Sequence, residues 1–318
     1  MTNAHSSPRG APPQPTGECT DAPARGPWGA VRSFSSLVKL SHTIFGLPFA
    51  LAAAILAHES ARAAGQEGLT WIRMLWILVA FTAARTAAMG FNRIVDREVD
   101  AENPRTASRE LPRGVLSVRT ASLLTGLSAL AFLGAAWALG PLPRLLALPC
   151  LALVLGYSLF KRFSWSAHIV LGFALALAPG GAWIAVTGSF AGWPTPSLLM
   201  LAVASWVAGF DVIYSLQDEG FDRDRGLHSI PVRFGTRGAL ILSALLHVVT
   251  IGALVALHLL AGLGLWHALG IGLIGVILVY EHWIVRPGDL SRINKAFFDL
   301  NGYVSMAYLA CVLVDRLL

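Results

Sequence analysis

Ten of the chain's eighteen acidic residues fall in two short windows, Asp96 to Glu110 and Asp211 to Asp224. The first contains Asn92-Arg-Ile-Val-Asp96-Arg-Glu-Val-Asp100 and the second Gln217-Asp-Glu-Gly-Phe-Asp222, so the carboxylates recur in four-residue steps and share a helical face. Each window closes a long apolar run. A carboxylate at bilayer depth costs about 2.5–3.5 kcal/mol on insertion scales, so such acids pair with cations or line polar cavities. Asn92, Asp96 and Asp100 offer hard oxygen donors from one face, and Asp211, Asp218 and Asp222, at i, i+7 and i+11, offer a second set. Oxygen donors of this kind suit Mg²⁺, which takes one or two carboxylates and completes its octahedron with water and phosphate oxygens. Two such faces opposed across a cavity predict a diphosphate held through metal. The plainer alternative is two polar helix ends paired with arginines at the membrane interface.

Basic residues surround both sets. Arg85 lies seven residues before Asn92, two turns earlier on about the same face and inside an apolar run, where it needs an anion. Arg105 and Arg109 can clamp phosphate oxygens or a carboxylate in bidentate fashion, or serve only as topology charge. Tyr157 and Lys161 form a Tyr-x-x-x-Lys pair, for which an interfacial aromatic and a snorkelling lysine are the default reading. His42 is either a pocket residue or a satisfied core histidine, and His228 beside the second motif is as readily loop as catalytic. His168, His247, His258, His267 and His282 show no ligand-like spacing.

The elements that position these residues are transmembrane helices. With 55% hydrophobic and 13% charged residues, the chain is a polytopic membrane protein. Hydropathy predicts an all-α fold of about nine spans around a central cavity, near 36–57, 72–95, 118–139, 142–160, 166–187, 196–217, 239–260, 264–285 and 297–316. Residues 1–30 read as a disordered cytosolic tail and 31–318 as one transmembrane domain. Arg and Lys cluster in alternate loops, which puts the N-terminus and both acidic clusters on the cytosolic side of the plasma (inner) membrane. The formal charge of +6 is accordingly a topology signal and gives no reason to expect nucleic acid. Cys19, Cys150 and Cys311 lack ligand spacing, so neither disulfide nor zinc is expected. The acidic helix followed by a basic loop occurs twice, an internal echo of low sequence identity. Oligomeric state is unreadable.

These residues resemble the UbiA-type membrane prenyltransferases, whose pattern is an Asn-Asp-x-x-Asp-x-x-x-Asp helix, a Tyr-x-x-x-Lys and a second Asp-x-x-x-Asp helix. The resemblance covers nearly the whole membrane part. It implies a metal-diphosphate motif at Asn92, Asp96 and Asp100, a second at Asp218 and Asp222, and diphosphate contacts from Arg105, Arg109 and Lys161. Arg85, Tyr157, Tyr214 and Asp211 resemble the family's other pocket residues, and Lys39 and His42 join the substrate-binding set. Within that set the resemblance implies catalytic roles for Asp211, Tyr157 and Lys161. The family's first Asp after Asn is Arg93 here; at i+1 it points about 100° from Asn92 and need not enter the metal cluster.

Together with Lys39-Leu-Ser-His-Thr-Ile-Phe-Gly-Leu-Pro48 and Gly226-Leu-His-Ser-Ile-Pro-Val-Arg-Phe-Gly235, this departure resembles a 4-hydroxybenzoate polyprenyltransferase-like branch, part of which serves menaquinone. The implied reaction is Mg²⁺-dependent transfer of a polyprenyl group from polyprenyl diphosphate to 1,4-dihydroxy-6-naphthoate or 4-hydroxybenzoate, leaning to the naphthoate. Family reactions that make haem O, chlorophyll or cyclised terpenes stand as alternatives. From other classes, a cation-coupled transporter would place its acids near the midplane, and a CDP-alcohol phosphotransferase would need an Asp-Gly…Ala-Arg opening that is absent.

Overall fold

The computed structural model describes residues 26–38, 43 and 45–318, and these are helical, with no strand among them. The first helix, α1 (Gly26–Leu37), begins inside the stretch read as tail; residues 1–25 lie outside the described residues. The first span, expected at 36–57, is instead α2 (Leu47–Ala63). Its shift has a local cause: Pro48 sits in the first turn, where its missing N–H leaves no intrahelical bond unmade and its fixed φ suits a helix start.

Then follow α3 (Trp71–Val95), the short α4 (Arg97–Glu102), α5 (Val118–Leu139) and α6 (Pro141–Gly156), which runs into a 3₁₀ turn, Tyr157–Arg162. Beyond it lie α7 (Ala167–Thr187), α8 (Pro194–Ser215), a 3₁₀ turn Leu216–Asp218, and the short α9 (Glu219–Asp224). The chain closes with α10 (Ile230–Ala261), α11 (Leu265–Ile284), the single turn α12 (Ile293–Lys295), a π-turn Ala296–Leu300 and α13 (Asn301–Leu317). Among the described residues, eight helices are long and apolar enough to cross a membrane. The expected count was about nine; α2, with 17 residues, lies at the short end of what a bilayer requires. Their caps are local. Thr70, Ser117 and Ser229 each accept the backbone N–H three residues on, at the starts of α3, α5 and α10.

The two acidic windows share a backbone device. α3 ends where Asp96 leaves the helical region (φ −90°, ψ 6°), and the six-residue α4 follows. α8 gives way in the same manner, with Asp218 (φ −102°, ψ 0°) preceding the six-residue α9. Each long apolar helix therefore breaks at a motif aspartate and turns a short acidic helix across the end of the bundle.

α7 and α8 form the buried centre, with α2 and α10 packed beside them. Outer helices leave Leu130, Trp137, Leu145, Leu148, Leu259 and Val279 uncovered, as befits helices that face lipid. At the polar end, α1 presses Phe34 and Leu37 against Leu111 and Leu116 in the loop after α4, and Ser36 donates to Glu110 at 2.7 Å.

The α7–α8 contact rests on a missing side chain. A Cβ on Gly172 would lie 2.2 Å from the carbonyl oxygen of Ala204 and 3.2 Å from the Ala208 methyl, so only glycine allows this approach. Gly172→Ala should therefore lower the thermal unfolding midpoint in detergent, by an overpacking cost of about 1–3 kcal/mol. Gly134→Ala, with nothing within 4 Å of the added methyl, should leave it unchanged. Equal midpoints for the two variants would sink this account of the helix pair.

Candidate active site

Four motif carboxylates meet at one end of the bundle, and each is held by a cation from another segment. Arg105 forks onto Asp218, Nε donating to Oδ1 at 2.9 Å and Nη2 to Oδ2 at 2.5 Å, while Asn103 adds a 2.9 Å bond to Oδ1. Arg109 Nη1 reaches both oxygens of Asp100, at 2.7 and 2.8 Å. Lys161 Nζ stands 2.8 Å from Oδ1 of Asp222, which is fully buried. Arg162 Nη2 lies 3.2 Å from Oδ1 of Asp96, whose Oδ2 accepts from Asn92 Nδ2 at 2.9 Å.

Local structure explains how the cations arrive. After α4 the chain folds back: the Arg105 amide donates to Asn103 Oδ1 at 3.0 Å and the Thr106 hydroxyl to the Asp100 carbonyl at 2.9 Å. Arg109 is thereby aimed back at Asp100 and Arg105 across at Asp218 of the second motif. The 3₁₀ turn after α6 straddles the two motifs, sending Lys161 to Asp222 and Arg162 to Asp96 and the Val95 carbonyl. His228 is loop here, its amide donating to the Lys161 carbonyl at 2.8 Å. Electrostatics follow burial and pairing. Burial pushes the Asp96 carboxyl above its ordinary range against the pull of Arg162. Burial opposes the charge on Arg105, but Asp218 outweighs it and the guanidinium ends above its usual value.

Next to this charged cap lies an apolar cavity of about 190 Å³ between α2, α3, α5, α6 and α7. Ala, Leu, Ile and Phe side chains line most of it; Arg85 and Tyr157 stand among them as its polar members. The Nε of Arg85 is buried and has no hydrogen-bond partner. Tyr157 is within electrostatic reach of Arg85, Arg93 and Asp211. Tyr214 accepts from Arg105 Nη1 at 3.0 Å and stacks on Phe297 of the π-turn, ring centroids 4.0 Å apart. Asp211 makes its contact with α7: Oδ2 lies 2.6 Å from Nδ1 of His168.

The structure thus brings Asp96, Asp100, Asp218, Asp222, Arg105, Arg109, Lys161 and Tyr214 together, with Arg85 and Tyr157 on the adjoining cavity. Lys39 and His42 lie outside the described residues. Two expectations need correction. Asp211 does not act with Asp218 and Asp222 as one donor set, because the Leu216–Asp218 turn intervenes and Asp211 faces His168. Arg93 does not stay clear of the acids: its Nη1 comes within 3.9 Å of Asp100, since the break at Asp96 redirects α4.

The oxygen donors, on two segments joined by the Asn103–Asp218 bond, are chemically suited to a hard divalent cation. Among the described residues no three acidic, His or Cys side chains converge on one point, and each motif carboxylate lies against a base. The sequence reading gave no contact to Asn103 and Arg162, though both adjoin recognised motifs. Nothing in sequence spacing marked Phe297 or His168.

The UbiA prenyltransferase family model matches residues 44–303. A 4-hydroxybenzoate octaprenyltransferase from Nitrosospira multiformis is 31% identical over 258 residues, 79% of this chain and 86% of that protein. One of the same name from Aromatoleum aromaticum is 31% identical over 72% of this chain and 77% of that protein. Among solved structures, the apo form of a UbiA homologue from Aeropyrum pernix superimposes with a TM-score of 0.79 at 32% identity, covering 87% of this chain and 98% of that one. A UbiA homologue from Archaeoglobus fulgidus, bound to DMAPP and Mg²⁺, shares the fold at a TM-score of 0.70 and 21% identity, over 89% and 98% of the two chains. These matches remove the transporter and phosphotransferase readings, and the chain belongs to the UbiA prenyltransferase family, a multi-pass membrane enzyme.

Proposed function

We propose that this prenyltransferase moves a polyprenyl group from polyprenyl diphosphate to the ring of an aromatic quinone precursor, with Mg²⁺ as cofactor. The acceptor is a hydroxylated aryl carboxylate: 4-hydroxybenzoate, for which the relatives are named, or 1,4-dihydroxy-6-naphthoate, to which the subgroup motifs lean. One observation carries the reading. Arg85 has a buried, unpartnered Nε at the polar end of an otherwise apolar cavity beside four carboxylate–cation pairs, the arrangement an aryl carboxylate with a greasy co-substrate requires.

Arg105, Arg109 and Lys161 exchange their carboxylates for diphosphate oxygens when that substrate enters, and Asn92, Asp96, Asp100, Asp218 and Asp222 then hold the metal. Mg²⁺, when bound, would supply Lewis-acid stabilisation of the diphosphate as a leaving group; the presence of DMAPP and Mg²⁺ together in the Archaeoglobus fulgidus homologue supports this reading. The cavity takes the polyprenyl tail and keeps water from the allylic carbon. Tyr157, on the cavity wall, offers its ring to the positive charge that develops there. Tyr214, stacked on Phe297, orients Arg105. Asp211 receives the acceptor's hydroxyl. Lys39 and His42 complete the substrate contacts, and the basic loops put the site at the cytosolic face of the plasma membrane.

Purified protein in lipid should prenylate one of the two acceptors with Mg²⁺ and lose at least about 100-fold in rate with chelator, in keeping with the weight of charge stabilisation at a leaving group. Undiminished product in chelator would remove the metal. Arg85→Ala should raise KM for the acceptor by about tenfold or more with KM for polyprenyl diphosphate little changed, since a hydrogen bond to a charged group contributes about 1.5–3 kcal/mol. Arg105→Ala should do the reverse. If both variants shift the same KM, the assignment of separate acceptor and diphosphate subsites is wrong.

A further inference from the structure

His168 and Asp211 meet because α7 and α8 touch at Gly172. That glycine is one turn beyond His168 and packs on Ala204 and Ala208, the latter three residues before Asp211. The close approach brings His168 Nδ1 to 2.6 Å from Asp211 Oδ2. Their exposures differ: the His168 side chain keeps 6% of its surface and Asp211 keeps 20%. The carboxylate is thus the more accessible member of the pair, and the imidazole the more buried.

Chemistry sets the tautomer. A carboxylate partner selects the Nδ1–H form, which leaves Nε2 with only a lone pair. Nε2 is buried and has no partner, and a bare lone pair is tolerated where a bare N–H is not. A histidine kept only as an interhelical staple needs no donor aimed at a partly accessible carboxylate. Asp211 is also within electrostatic reach of Tyr157, which shares the polar end of that cavity with Arg85. An aryl carboxylate held by Arg85 would extend its hydroxyl towards Asp211.

We infer that His168 is a positioning residue, its Nδ1–H holding Oδ2 of Asp211 so that Oδ1 meets the acceptor's hydroxyl. This rests on the proposed role of Asp211. The hydroxyl proton passes to Oδ1, and the ring carbon forms the new C–C bond as the allylic C–O bond breaks and diphosphate leaves with the electron pair. The ring C–H proton then departs to water, its electrons restore the aromatic ring, and Asp211 returns its proton to the oxygen.

Steady-state prenyl transfer by His168→Ala, His168→Asn, Asp211→Asn and the double variant His168→Ala/Asp211→Asn tests this, alongside thermal midpoint and polyprenyl diphosphate binding. His168→Ala should lower kcat about 10- to 100-fold, the range of lost orienting contacts, with KM for polyprenyl diphosphate unchanged. His168→Asn, whose amide N–H replaces Nδ1–H, should recover most of the loss. The double variant should be no slower than Asp211→Asn alone, as expected of groups acting as a unit. Wild-type kcat in His168→Ala, a folded His168→Asn no better than His168→Ala, or additive losses would overturn the inference. Should His168→Ala not fold, the rate of folded His168→Asn decides. Asp211→Asn at wild-type turnover would instead remove the role of Asp211 itself, and the inference with it.

Discussion

Charge neutralisation across segments organises the polar end of this bundle. Asp100, Asp218 and Asp222 are buried where an apolar fold meets water, and each is matched by Arg109, Arg105 or Lys161. Removing one partner of a buried pair leaves an uncompensated charge, a loss of about 3–5 kcal/mol. The pairs consequently fix the loop after α4 and the turn after α6 against the acidic helices. They also leave the polar end balanced in charge. Under the proposed function, a diphosphate entering with a divalent cation would offer each of these side chains a new partner of opposite sign.

Two backbone breaks make that arrangement possible. Asp96 ends α3 and Asp218 ends the 3₁₀ turn that follows α8, and each starts a six-residue helix, so each motif presents acids both along the bundle and across its end. The 3₁₀ turn Tyr157–Arg162 then serves three masters at once: Tyr157 faces the cavity, Lys161 holds Asp222, and Arg162 holds Asp96. In a tight turn adjacent side chains diverge, and that divergence lets one short segment tie both motifs to the cavity wall. Arg93, where the family has an acid, adds a further positive charge near Asp100.

Below the charged cap the demands reverse. The cavity is lined almost wholly by apolar residues, and helices of the bundle pack through small side chains, as where Gly172 meets Ala204. Without a hydrophobic force between helices in lipid, such close approach supplies the dispersion contacts that hold them. A low-dielectric chamber under a polar rim strengthens every charge interaction at the rim and excludes water from the reacting carbon.

The sequence by itself determined the class, the helices and which charged side chains would gather at their polar ends. Twenty-residue apolar stretches have few alternatives in a bilayer, and clustered acids and arginines at their ends are too costly to be incidental. Hence the spans from 72 onward were legible to within a few residues, except that α10 begins nine residues before the expected 239, ahead of a kink at Gly235, and the clustering of Asp96, Asp100, Asp218, Asp222 and the bases near them was legible too. The first span was misplaced, because the apolar run hides the helix start set by Pro48. Tertiary structure alone decided which base meets which acid, that Arg93 turns towards Asp100, and that Asp211 belongs with His168 on α7. Those choices depend on helix breaks and on how closely two helices approach. One dimension of spacing carries neither.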